Sequence, residues 1–147
     1  MLFVKLKTDF KLLAITSISF DIAGLELYLP LISGAELILA STEATRDGRL
    51  LLDIIEQKQI SILQATPTSW QLLLDAGWSQ PLPLKALCGG EPLSASLALQ
   101  LLGLCNELWN MYGPTETTIW SSIKRIVQNE EQITIGKPIH NTQWCIM

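Results

Sequence analysis

At 147 residues the chain is about one domain's worth, and its 48% hydrophobic content is enough to bury a core. Only 16% of residues are charged, the net charge is −4, and no Lys/Arg cluster supplies the basic face that nucleic-acid binding needs. No apolar run approaches the ~20 residues of a membrane span, and Lys5, Lys7 and Asp9 break up the stretch where a secretory leader would be apolar.

Cys88, Cys105 and Cys145 are odd in number and lack metal-ligand spacing, so they read as small hydrophobes in a reducing, cytoplasmic compartment. The single histidine, His140, leaves little material for a Ser-His-Asp or His-rich metal mechanism.

In chain order, short β-like runs alternate with helical ones. "LLAITSI" (12–18) predicts a strand, and "IAGLELYLPLI" (22–32) a helix that stops near Pro30 and Gly34. "AELILA" (35–40) predicts a strand. Residues 47–59 predict an amphipathic helix, with Leu51, Ile54, Ile55 and Lys58 at i, i+3, i+4, i+7 and Asp47 as its N-cap. "ISILQA" (60–65) is the next strand, and Thr66-Pro67 supplies a cap and a first-turn proline for the helix that follows. "LKALC" (84–88) predicts a strand and Ser94 caps a further helix; "ELWNMY" (107–112) and "IWSSIKRIV" (119–127) predict two more strands. This alternation defines an α/β chain: a mostly parallel sheet built from βαβ crossovers, with helices on both faces.

In such sheets ligands sit beyond the carboxyl ends of the strands. Those ends carry Ser19-Phe20-Asp21, Thr66-Pro67-Thr68, Gly89-Gly90-Glu91-Pro92 and Gly113-Pro114-Thr115-Glu116-Thr117, none of them simply hydrophobic. Gly89 and Gly90 allow backbone to approach a flat ligand, and Tyr112 can stack on it. Asn110 offers a donor and an acceptor to a base edge. Thr115 and Thr117 can donate to phosphate, and Glu116 is a hard oxygen ligand of the kind Mg²⁺ takes. The same residues also suit an ordinary Gly-Pro turn that satisfies its own backbone. Asp21 is open to two readings, a helix N-cap or a partner for a ligand ammonium.

"NMYGPTE" (110–116) resembles the nucleotide-binding motif of the acyl-adenylate-forming enzymes, in the form typical of adenylation domains of nonribosomal peptide synthetases. "SFDIAGLELYLPLISGAEL" (19–37) is similar to another core motif of these domains, and "ATPTSWQLLLDAGW" and "LCGGEPL" fall between the two in the expected order. The resemblance runs from about Lys11 to the end; residues 1–10 match poorly. The phosphate-clamping loop is expected before the first strand, but residues 1–23 hold no glycine. The chain ends at "TQWCIM", before the family's hinge and C-terminal domain. It is therefore expected to be the substrate-selecting middle of an adenylation domain, inactive alone.

Carried over by residue, the resemblance implies a nucleotide site of Gly89, Gly90, Glu91, Pro92, Asn110, Met111, Tyr112, Gly113 and Thr115. Tyr112 would stack on adenine, with the 89–92 backbone on its other face and Asn110 at its amino edge. Thr115 and Glu116 would serve the chemistry, Thr115 at the α-phosphate and Glu116 as the Mg²⁺ ligand. Asp21 would bind the substrate ammonium, and Ile22, Leu25, Gln64, Leu87, Gly89, Met111, Ile119 and Trp120 would line the side-chain pocket. Leu25, Leu87, Met111 and Trp120 would fill that pocket, which suits glycine; Met111 stands where leucine is more usual.

ATP and Mg²⁺ are the implied cofactors. A phosphopantetheine-bearing carrier domain and a condensation domain are the implied partners. An inactive nucleotide-binding remnant, or a carboxylic-acid CoA ligase of the same superfamily, remains an alternative.

Overall fold

The computed structural model describes residues 9–128, 130 and 132–145. Its elements are β1 (Lys11–Ala14), α1 (Ala23–Ser33), β2 (Glu36–Leu39), α2 (Gly48–Lys58), β3 (Ile62–Ala65), α3 (Pro67–Asp75), β4 (Leu82–Gly89), α4 (Ala95–Leu102), β5 (Cys105–Tyr112), β6 (Ser122–Ile126) and β7 (Lys137–Pro138). They form one sheet in the order β2-β1-β3-β4-β5-β6-β7. β1 to β5 run parallel, and β6 and β7 close one side antiparallel.

Strand alternation splits the core between the two faces. Leu13, Leu63, Ala86, Cys88 and Leu108 pack under α2, α3 and α4 with Leu51, Ile55, Trp70, Leu73 and Leu101. Their neighbours Leu12, Ile62 and Leu87 turn the other way, against Leu25 and Leu29 of α1, and there they meet Met111 and Trp120. Helices therefore cover both faces, as the low charge content and near-continuous apolar strands imply.

Local signals act as expected at three helix starts. The Asp47 carboxylate accepts from the Arg49 and Leu50 amides, Thr66 Oγ1 from the Ser69 amide with Pro67 in the first turn, and Ser94 Oγ from the Leu97 amide. Pro30 does not stop α1, which runs on to Ser33; Gly34 ends it at φ 69°.

Two predicted strands are shorter in the structure. β1 ends at Ala14 because the Ile15 and Thr16 amides donate to the Glu26 carboxylate and leave the sheet ladder. Residues 17–20 then turn, with the Phe20 amide donating to the Ser17 carbonyl. The strand expected over 119–127 begins only at Ser122, since Thr118 and Ile119 take φ 61° and 65°, incompatible with an extended chain.

α2 and α3 meet at Gly48, where an added Cβ would overlap the Leu72 carbonyl and lie 2.9 Å from the Ala76 Cβ. A backbone carbonyl cannot move aside as a side chain can. Gly48→Ala should therefore destabilise the full-length protein by about 1–3 kcal/mol, read as a lower urea midpoint at unchanged slope.

Candidate nucleotide and amino-acid site

The four polar strand ends are tied in two pairs by hydrogen bonds. Beyond β3, the Thr68 hydroxyl donates to Glu91 Oε2 at 2.7 Å and its amide to the same oxygen at 3.3 Å. That carboxylate, from the turn after β4, thus sits at the N-terminus of α3, where helix-end amides favour negative charge. Beyond β1, Asp21 Oδ2 accepts the Ile119 amide at 2.7 Å, across 98 residues of chain. Asp21 is accordingly not a side-chain cap: α1 starts after Ile22 without one.

A cleft of about 500 Å³ opens between the ends of β4 and β5. Gly90, Glu91, Pro92 and Leu93 form one side, the run Asn110–Thr115 the other, and Ile133 and Ile135 face them from the loop after β6. It is a largely apolar slot with a few polar groups, the form taken by sites for flat organic ligands. Tyr112 is 42% exposed, so its ring is free to stack. Gly90 holds φ 84°, which turns the backbone out of β4 into the cleft wall.

Two members of the expected nucleotide set are used differently. Gly89 does not line the cleft: it is buried, and a Cβ there would overlap the Trp120 ring and lie 2.7 Å from the Met111 carbonyl. Its missing side chain makes room for an indole. Asn110 lines the cleft, but one of its amide N–H groups donates to the Thr134 carbonyl at 2.9 Å, which ties the 133–135 loop to β5.

Thr115 lines the mouth of the cleft, and Glu116 is exposed on the same 3-10 turn, residues 115–117. Among the described residues no cluster of three or more His, Cys, Asp or Glu could hold a metal by itself. A lone exposed carboxylate nevertheless suits Mg²⁺, which keeps waters and takes one or two carboxylates plus substrate oxygens.

The expected amino-acid set comes together on the α1 face. Leu25, Leu87, Met111 and Trp120 are 2%, 0%, 2% and 3% exposed, and Ile22 and Ile119 pack against them. Gln64, on β3, accepts the Trp120 indole N–H at 2.8 Å through Oε1 and donates from Nε2 to the Ile22 carbonyl at 2.9 Å. Asp21 reaches this group through Ile119. The backbone there is strained, because Ile119 is β-branched at positive φ. The Asp21 bond holds that strained turn, and with it the approach to Trp120.

Sequence reasoning missed three residues. Ile133 and Ile135 sit in a loop whose two isoleucines carry no site signal. Glu26 has no assigned role within the helix predicted over 22–32, yet it is fully buried and hydrogen-bonded to Gln64. A charge inside so apolar a run as "AGLELYLPLI" was the available hint.

A parallel sheet with a cleft at its carboxyl edge, beside a packed apolar cluster rimmed by the exposed Asp21 carboxylate, has the layout of open α/β ligand-binding domains. The comparisons make the class specific. Residues 2–147 match the family model "AMP-binding enzyme". The chain is 46% identical over 138 residues to a dimodular nonribosomal peptide synthase of Bacillus subtilis, covering 93% of this chain and 6% of that protein. It is 38% identical to tyrocidine synthase 3 of Brevibacillus parabrevis, covering 97% of this chain and 2% of that protein.

Among solved structures, holo-AB3403, a four-domain nonribosomal peptide synthetase bound to AMP and glycine, superposes with a TM-score of 0.88 at 48% identity, over 91% of this chain and 10% of that one. The Vibrio cholerae adenylation domain AlmE, in complex with glycyl-adenosine-5′-phosphate, gives 0.83 at 26% identity, over 90% and 26%. The chain belongs to the AMP-binding enzymes, among the adenylation domains of nonribosomal peptide synthetases. It spans less than a tenth of the length of the curated relatives described. No helix among the described residues is long and apolar enough to cross a membrane.

Burial pushes the Cys88 thiol up to about 12, with the Glu91 charge adding to the effect. At pH 8 only about one thiol in 10⁴ is then thiolate. Cys88 in the folded full-length protein should resist iodoacetamide and react fully in urea, as mapped by peptide mass spectrometry.

Proposed function

We propose that the full-length protein activates glycine for nonribosomal peptide synthesis. The substrate carboxylate attacks the α-phosphorus of ATP, forming glycyl-AMP and releasing pyrophosphate. The glycyl group then passes to the phosphopantetheine thiol of a carrier domain, as a thioester, for use by a condensation domain. Within this reading residues 1–147 are a partial adenylation domain carrying the selective part of the site.

The observation that carries the glycine reading is the filled pocket behind Asp21. Trp120, buried and lying over Gly89, occupies the volume that a substrate side chain would need. A methyl group on the substrate would have to displace an indole that is hydrogen-bonded to Gln64. The glycine-bound and glycyl-adenylate-bound relatives support the same choice.

The residues divide the work as follows. Asp21 pairs with the ammonium through the carboxylate face left by the Ile119 amide, since a partly desolvated cation demands an anion. Tyr112 and the Gly90–Pro92 turn sandwich the base. Thr115 would donate to the α-phosphate, and Glu116 would hold Mg²⁺, which would supply charge neutralisation. Catalysis of this type comes from alignment and charge stabilisation, so it requires no histidine.

The test is ATP–pyrophosphate exchange by the full-length adenylation domain against a panel of amino acids. Glycine should give the highest kcat/KM. Trp120→Ala should admit alanine and serine, narrowing the preference by about 10–100-fold. Asp21→Asn, which keeps an acceptor for the Ile119 amide but loses the charge, should raise the glycine KM by about 10–100-fold, as expected when an ammonium loses a charge-assisted partner. Exchange that peaks with a large side chain, or a Trp120→Ala enzyme still confined to glycine, would refute the reading.

A further inference from the structure

Glu26 plays no part in the function proposed above, and its environment is unusual. It is fully buried on α1, and none of the ion pairs among the described residues includes it. Its carboxylate is instead surrounded by donors. Oε2 accepts the Ile15 and Thr16 amides at 2.9 and 3.0 Å; Oε1 accepts the Thr16 hydroxyl at 2.6 Å and Gln64 Nε2 at 2.8 Å. Four donors on two oxygens match the acceptor capacity of an ionised carboxylate, which donates nothing itself. Burial nevertheless pushes its pKa upward, against the hydrogen bonds from Thr16, Gln64 and Ile15.

The polarity of every further link follows. With Nε2 committed to Glu26 and to the Ile22 carbonyl, Gln64 can turn only its oxygen to Trp120. The indole has one donor and no acceptor, so it can meet only that oxygen. The result is a one-directional chain, Trp120 to Gln64 to Glu26, anchored on the backbone where β1 ends. A buried charge without a cation is a costly way to join α1 to β1, and an apolar residue would pack there more cheaply. What the charge adds is direction: with the Ile22 carbonyl, it fixes which way the Gln64 amide faces.

We infer that Glu26 is a positioning residue for substrate selection: through Gln64 it holds the Trp120 indole in the orientation that closes the pocket to side chains. The inference rests on the reading of Trp120 as the pocket wall. Glu26 itself touches no substrate.

Glu26→Gln is nearly isosteric but supplies one acceptor oxygen and an NH₂ in place of two acceptors. If its oxygen serves the Ile15 and Thr16 amides, its NH₂ faces the Gln64 NH₂. Gln64 then either turns its amide, losing its bonds to the Ile22 carbonyl and to the indole, or is pushed away from residue 26; either way the indole loses its fixed acceptor. In the full-length adenylation domain, the glycine-to-alanine ratio of kcat/KM should fall by about tenfold, while the KM for ATP stays unchanged. In a Trp120→Phe background, where no indole N–H remains, Glu26→Gln should not move the ratio further. A residue needed only for folding would lower activity toward both amino acids alike, and would do so in both backgrounds.

A second readout needs no turnover. In domain labelled with 5-fluorotryptophan, the Trp120 ¹⁹F resonance, assigned by its loss in Trp120→Phe, should shift or broaden in Glu26→Gln. If Glu26→Gln does not fold, Gln64→Leu cuts the same chain and carries the same expectations. An unchanged ratio and an unmoved resonance in a folded variant would overturn the inference. Should the wild-type domain not prefer glycine, the proposed function fails and the resonance alone decides whether Glu26 positions Trp120.

Discussion

The in-register parallel pairing of β3, β4 and β5 is the constraint on which the site depends. Gln64 stands opposite Leu87, Cys88 opposite Asn110, and Gly89 opposite Met111. Because side chains alternate, this register places Gln64, Leu87, Gly89 and Met111 on the α1 face, where Trp120 lies across them. A slip of one residue in any strand would send its share of the pocket into the opposite core. The register is protected by that core: Leu63, Ala86, Cys88 and Leu108 are completely buried or nearly so under α2, α3 and α4.

β5 serves both halves of the site by the same alternation. Met111 is buried in the α1-side cluster, while its neighbour Tyr112 is exposed in the cleft. The chain then turns through Gly113, where a Cβ would overlap the Ile119 carbonyl, so the outgoing and returning segments touch. One short stretch therefore carries the exposed Tyr112 ring, Thr115 in the cleft lining and the return to Trp120. This compactness accounts for the mixture of residue types in "NMYGPTETTIW". Each group serves a different surface within a few ångströms of the others.

The proposed selectivity has two physical sources. One is volume, since the four large residues behind Asp21 are at least 97% buried. The other is direction, since the indole is held by a hydrogen bond whose sense is set two residues away in the network. Packing alone tolerates repacking among side chains of similar size. A polar chain with donors and acceptors matched at every link does not, because reversing one link leaves a buried group unpaired. The strained turn at Thr118 and Ile119, held by Asp21, adds a second anchor on the same wall.

Much of this was legible in the chain itself. Alternating apolar runs, three capped helix starts and polar strand ends were enough for a mostly parallel sheet with its site at the carboxyl edge. Those signals act over a few residues, where steric preference and local hydrogen bonding decide. The tertiary structure alone decided where β1 stops, because the amides of the next two residues, Ile15 and Thr16, are taken by Glu26, eleven and ten residues away. It alone showed that Gly89 makes room for Trp120, that Thr134 holds Asn110, and that Ile133 and Ile135 close the cleft. Such contacts, the Asp21–Ile119 bond among them, join residues up to 98 positions apart, and no periodicity or local propensity records a pairing formed only when the sheet assembles.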